Sequence, residues 1–349
     1  MDITPYLEDL EARIDPAVEA QLLQEWRTFS DGRFGGDIFT PRRAAAAPAR
    51  VEWPTFSVNA AQRDYAIMAL QQLAECSRKL EDAGGQLMNV RCNYGTAILP
   101  SLFDAELFVM DEELNTLPTN RPLEGGLAAI RKLIARGVPR LDAGLWARVM
   151  AMAAYFQELF APYPKIRRYI RIYHADMQGP MDCCELLWGC ALYFDVYDNA
   201  ALVHALLELL TRTYSAAMHD WQARVPPLDG YEFHWGFLHR GYIMLRDDSA
   251  MNFSPAMFDE FIKPYDQRLL DEFGGGAIHF CGRGDHYIAS MASIPGLHAI
   301  AMSQPEMNDM ERIYRHTVDK GIVLIGLQRH AAEAALARGR VLHGRVHCA

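Results

Sequence analysis

The chain has 349 residues, half of them hydrophobic and 22% charged, which suits a packed core and excludes an intrinsically disordered chain. A formal net charge of −10 argues against a protein that grips nucleic-acid phosphates or anionic lipid. No apolar run reaches the roughly 18 to 20 residues that span a bilayer, and the acidic start MDITPYLEDLEARID lacks the pattern of a signal peptide, so a cytoplasmic protein with a small-molecule substrate is expected.

In chain order, a helix is predicted from about Pro16 to Phe29, then an alanine-rich stretch, Arg42 to Arg50. Residues 1–50 read as an N-terminal helical arm and 51–349 as the main domain, with a first strand near Val51. QLMNVRCNYG, Gln86 to Gly95, reads as a strand running into a loop, and Leu107 to Met110 as a further short strand. Helices follow over Leu123–Arg136 and Gly144–Phe160, then an Ile- and Tyr-rich strand over Arg167–Asp176. A long helical region spans Met181 to Trp221, and GYIMLRDD from Gly241 is the next strand. Ser254 followed by proline starts a helix running to about Phe273. Three strand–helix units close the chain, with strands Ala277–Cys281, Leu297–Met302 and Gly321–Leu327.

Short apolar runs between amphipathic helices mean parallel strands covered by helices. About eight such strands over nearly 300 residues favour an α/β fold of the (β/α)8 TIM-barrel type. A Rossmann fold is weaker, because no GxGxxG follows the first strand.

In such a barrel the active site is built by the loops after the strands. Those positions offer Asn93 and Tyr94, then His174, Asp176 and Gln178, then Arg246, Asp247 and Asp248, then His279, Cys281, Arg283, Asp285 and His286, and lastly Ser303, Gln304 and Glu306. His279-Phe280-Cys281 is the sharpest feature. Residues two apart on a strand face the same way, so an imidazole and a thiol project together, and both are zinc ligands. A third ligand is needed. Cys348 is the only cysteine after Cys281, and His330 is a substitute. The other five cysteines read as small buried hydrophobes, and an odd total of seven does not suggest a disulfide framework. Asp248 and His279 are the candidates for acid/base work. Asn93, Tyr94, Asp176, Gln178, Arg246 and Arg283 are the candidates for substrate binding.

From about Tyr173 to Gly326 the chain resembles the uroporphyrinogen decarboxylase superfamily. The resemblance rests on QGPMD at Gln178–Asp182, DDSAMNFSPAMFDEFIKP at Asp247–Pro264, FGGGAIHFCG at Phe273–Gly282 and GIVLIG at Gly321–Gly326. It implies a (β/α)8 barrel. It also implies one of two activities: zinc-dependent methyl transfer with a methylated corrinoid protein as partner, or cofactor-free decarboxylation of a carboxylated tetrapyrrole-like or aromatic substrate. In the methyltransferase branch an HxC pair and a later cysteine hold zinc, which His279, Cys281 and Cys348 would match. The later cysteine usually lies near the last strand, where this chain has Gly326, Leu327 and Gln328. In the decarboxylase branch an arginine-rich N-terminal motif holds carboxylates. Here Arg42 and Arg43 stand in the arm, without the family's arginine-glycine-arginine signature, and Asn93 and Tyr94 stand where an aspartate works on the pyrrole. The methyltransferase reading is the leading one and decarboxylation the alternative. A corrinoid-carrying scaffold ranks last, because no DxHxxG-type loop is present.

Overall fold

The structure is a computed structural model that describes residues 2–348. Its strands are β1 Ile38–Phe39, β2 Asn89–Arg91, β3 Leu107–Phe108, β4 Thr119–Asn120, β5 Arg171–Tyr173, β6 Tyr231–His234, β7 Phe237–Arg240, β8 Ile243–Arg246, β9 Gly276–Phe280, β10 Leu297–Met302, β11 Val323–Leu324 and β12 Val346–His347. Six form one parallel sheet in the order β1-β12-β11-β10-β9-β8, and β2 and β5 form a separate parallel pair. The fold is therefore mixed α/β with a six-stranded parallel sheet and many helices, rather than one continuous eight-stranded ladder.

Two hydrogen bonds tie the pair to the sheet. His174 Nε2 accepts from Met244 N at 3.2 Å while its Nδ1 lies 2.9 Å from the Ala175 carbonyl, and Gly179 N donates to Arg246 O at 3.0 Å. An imidazole thus takes a strand N–H that a neighbouring carbonyl would otherwise accept, which interrupts the ladder and still satisfies the buried donor. Gly179 fits because it has no side chain: a Cβ there would lie 2.4 Å from the Arg246 carbonyl oxygen.

The two sheet faces are used differently. Ile278 and Phe280 of β9, Ile300 and Met302 of β10 and Leu324 of β11 belong to the core shared with the helices. Ala277, Ala299, Ala301 and Val323 join a second core with Phe233, Phe237 and Leu238 of the β6–β7 hairpin and Leu22, Trp26 and Phe29 of the helix Pro16–Ser30. Alternation along each strand separates these two sets. Alanine on the inner face leaves room for a whole hairpin, which packs against β9 and β10.

Several expected elements differ. No strand forms near Val51, and the strand on that side of the chain is Ile38–Phe39, which pairs with Val346–His347. The 1–50 segment therefore supplies an edge of the sheet and the fully buried Trp26, and residue 50 does not bound the sheet. Met1 and Ala349 lie outside the described residues. Leu107–Phe108 forms a short strand as expected, but outside the main sheet: it pairs antiparallel with Thr119–Asn120 in a two-stranded sheet, with its own two residues exposed. The region Met181–Trp221 divides into helices Pro180–Trp188, Leu192–Asp198 and Ala200–Arg224, with breaks after Trp188 at Gly189 and at Asn199. Ser254 caps its helix through Met257 N, but that helix ends at Phe261 and a second begins at Lys263, because Pro264 supplies no N–H to continue the ladder. No helix among the described residues is long and apolar enough to cross a membrane.

Candidate active site

Register positions the site. Arg246 on β8 pairs with His279 on β9, and His279 pairs with Ala301 on β10. Two residues further, Asp248 comes level with Cys281, and Cys281 N donates to Asp248 Oδ1 at 2.9 Å. His279 Nε2 lies 3.4 Å from Cys281 Sγ and 3.5 Å from Asp248 Oδ1. Together the three offer nitrogen, sulfur and carboxylate oxygen within 4.8 Å of one another, the one such group among the described residues.

Burial sets the protonation of this group. It pushes the His279 imidazole down to about 4, against the opposing pull of Asp248. It pushes the Cys281 thiol up to about 11, with Ser303, whose Oγ is 3.5 Å from the sulfur, acting against it. At neutral pH the protein alone therefore presents a neutral imidazole and a neutral thiol. A cation is what would turn the thiol into a thiolate.

The surroundings hold these side chains still. Asp182 accepts from the backbone of Asp248 and Ser249 at 3.0 and 2.8 Å, which fixes the turn that carries Asp248. Gln304 Oε1 accepts Gly282 N at 2.6 Å, and Asn308 Oδ1 accepts Gly284 N and Asp285 N at 2.7 and 2.9 Å. Gly282 has φ +72, and a Cβ there would meet Met251 Sδ at 2.7 Å, so the turn after Cys281 requires glycine.

Beside this group stands a second polar cluster centred on Asp176. Its Oδ1 lies 2.6 Å from Arg246 Nη2 and 2.9 Å from His234 Nε2, and its Oδ2 takes Arg91 and, at 3.3 Å, Trp235 Nε1. Trp235 joins the two clusters. Its ring is edge-on to His279 with centroids 4.9 Å apart, and the Arg246 guanidinium lies 4.5 Å from its centroid. Trp235 sits at the tip of the β6–β7 hairpin with φ +51, followed by Gly236 at φ +85. Such a two-residue turn favours Asn or Gly first, and a bulky residue there stores strain.

Of the sequence candidates, Asp248, His279, Cys281, Asp176 and Arg246 come together. Asn93 lines a neighbouring cleft. Tyr94 does not reach open space: it is fully buried under Arg148. Gln178 is buried, with Oε1 unpartnered. Arg283 has a largely exposed side chain bonded to Asp285 at 2.7 Å. Cys348 is not brought to the His279–Cys281–Asp248 group. It follows β12, three strands from β9, a lateral separation of roughly 14 Å at the usual strand spacing. It lines a different cavity with Thr40, Pro41 and Gly85. His330 is exposed and also apart. Arg43 is committed to a buried bidentate pair with Glu19 at 2.6 and 2.8 Å. Sequence reasoning missed Arg91, Asp182 and the hairpin as a platform for Trp235. The usable signal for the hairpin was YEFH and FLHR flanking a two-residue turn.

No protein-family model matches this chain, and no curated sequence matches it. Among solved structures the fold is similar to that of a methyltransferase from Methanosarcina mazei, with a TM-score of 0.61 at 16% sequence identity, covering 94% of this chain and 92% of that one. At that identity the likeness concerns the fold alone.

Proposed function

We propose that the chain is a zinc-dependent methyltransferase whose metal is held by Asp248, His279 and Cys281. The observation that carries this is the convergence of three ligand atoms from adjacent strands on one point. Separations of 3.4 and 3.5 Å suit the edges of a tetrahedron with bonds of about 2.0–2.3 Å. Nitrogen, sulfur and carboxylate oxygen are donors zinc accepts, and three protein ligands leave a fourth position for a substrate atom. Asp248 takes the place that the family pattern gives to a later cysteine. When bound, zinc would supply a Lewis acid that lowers the pKa of an acceptor thiol or hydroxyl.

The chain's own residues would do the rest. His279, kept neutral by burial, offers the Nε2 lone pair. Asp248 adds negative charge and is aimed by the Cys281 and Asp182 contacts. Trp235 shields the imidazole from water. The fold of the Methanosarcina mazei enzyme supports methyl transfer, and a methylated corrinoid on a partner protein is the donor the family resemblance suggests. On this reading the six-stranded sheet and the β2–β5 pair, joined through His174 and Gly179, form one (β/α)8 barrel. Decarboxylation is less well served, because Arg246 is engaged by Asp176 and Arg283 by Asp285.

The test is metal content after chelation and zinc reloading, followed by demethylation of methylcobalamin in the presence of thiols. Stoichiometric zinc is expected in the wild type and in Cys348→Ser, and is lost in Cys281→Ser and His279→Ala. A wild type that retains no zinc, or a Cys281→Ser variant that retains it fully, would remove this reading.

A further inference from the structure

Once bound to a cation, the Cys281 sulfur is a thiolate, and a thiolate is a nucleophile as well as a ligand. In a site that handles methyl groups it competes with the acceptor for the same carbon. Of the seven cysteines five are buried, Cys190 is exposed and Cys281 is half-buried. Burial shields the five, whereas protection of Cys281 has to come from a neighbouring group. Ser303, just after β10, has its Oγ 3.5 Å from the sulfur, which is the hydroxyl's one partner among the described residues. The serine backbone is held on both sides: its N–H donates to Phe280 O at 3.3 Å, and its carbonyl accepts from Gln328 Nε2 at 3.0 Å. Gln328 lies in the stretch where the family resemblance looks for a later cysteine, and here its amide fixes the serine. A hydroxyl both accepts and donates. It accepts from the neutral thiol, and turns to donate once the sulfur is ionised. A hydrogen bond to an ionised group is among the stronger ones, and it is forfeited when the sulfur lone pair is spent on a new bond.

We infer that Ser303 is a positioning residue that keeps Cys281 a ligand and not a methyl acceptor, its O–H donating to the metal-bound sulfur and lowering that sulfur's nucleophilicity. The side reaction it suppresses is a displacement. The Cys281 lone pair forms an S–CH3 bond, the bond between carbon and leaving group breaks, and its electron pair departs with the leaving group. The product is a neutral thioether. The inference rests on the zinc-methyltransferase reading, because it concerns the sulfur in its bound form.

The experiment treats the zinc-loaded full chain with methyl iodide and follows the gain of one methyl group at Cys281 and at Cys190 by peptide mass mapping, with zinc content measured alongside. Cys190, exposed and remote in sequence, is the internal standard for the reagent. Ser303→Ala is expected to raise the ratio of the Cys281 rate to the Cys190 rate about tenfold, the lower end of the scale of a hydrogen bond to a charged group. Ser303→Thr, which keeps the hydroxyl, returns the ratio to the wild-type value. Zinc before treatment is stoichiometric in all three proteins. A zinc-loaded Ser303→Ala variant with the wild-type ratio overturns the inference and leaves the metal reading intact. So does a Ser303→Thr variant that behaves like Ser303→Ala, since bulk and not the hydroxyl would then matter. Zinc lost from Ser303→Ala alone makes the serine a support of the metal site and overturns the inference too. A wild type that holds no zinc fails the metal reading, and this inference with it.

Discussion

Asp176 is the clearest place to test how the site is held. Its carboxylate faces two guanidinium groups, Arg246 at 2.6 Å and Arg91, and its side chain is 16% exposed. Asp176→Asn keeps the shape and removes the charge, leaving both arginines without their counter-charge. Breaking a buried ion pair by deleting one partner costs about 3–5 kcal/mol. Partial exposure and the remaining amide oxygen place this case near the lower end, about 3 kcal/mol. With a urea m-value of about 3 kcal/mol/M, the unfolding midpoint falls by about 1 M. Far-UV circular dichroism in urea reads this directly. Adding Arg246→Met removes one of the stranded charges, so the double variant recovers part of the loss and the cycle shows a coupling of about 2 kcal/mol. A shift below about 0.3 M, or additive losses in the cycle, would place the pair among exposed ion pairs worth under about 1 kcal/mol and refute the reasoning.

Other outcomes follow from the same geometry. Asp182→Ala frees the backbone N–H groups of Asp248 and Ser249, and is expected to lower zinc affinity about 10–100-fold, measured by competition with a chromogenic chelator. Trp235→Asn suits the φ > 0 turn and keeps the hairpin, so thermal stability holds within about 1–2 kcal/mol while methyl-transfer activity falls; collapse of the fold instead would show that the indole is mainly structural. Burial pushes His347 down to about 3 and His174 to about 4, so their contribution to stability is complete above the ordinary imidazole value and is lost as pH falls through roughly 6 to 3. His347→Gln should flatten the acid limb of a urea-midpoint profile. Glu232, fully buried, is pushed up to about 8, so its contribution is complete below the usual carboxylate range and is lost as pH rises toward 8. Glu232→Gln should remove that alkaline decline.

The pairing of His279 with Cys281 was legible because strand parity alone puts them on one side. Asp248 was legible as a strand-end acid, and the register Arg246↔His279 supplies the reason it comes level with Cys281 beside His279. Choosing Cys348 for that role went by residue type, and type carries no information about strand order: β12 lies beyond β11 and β10 from β9. The β6–β7 hairpin was hidden because its turn begins with Trp235, not the Asn, Asp or Gly that marks such turns. Arg91, Asp176 and Arg246 lie on β2, just after β5 and on β8. Only the folded arrangement shows that one carboxylate serves both cations. The expected strand near Val51 failed because VEWP ends in a proline at Pro54, and the pairing partner for the last strand came from Ile38–Phe39.

That last pairing joins two stretches far apart in sequence. Ile38 meets Val346, and Phe39 meets His347, about 300 residues later in the chain, a contact whose loop-closure entropy makes it slow to form. On the ribosome, the first strand and the aromatic ring cluster behind it, with Trp26 and Phe29, emerge long before their partner exists. Joining the two edges early, by permuting the chain so that β12 precedes β1, would turn this long-range pairing into a local one and should speed refolding without altering the mature site.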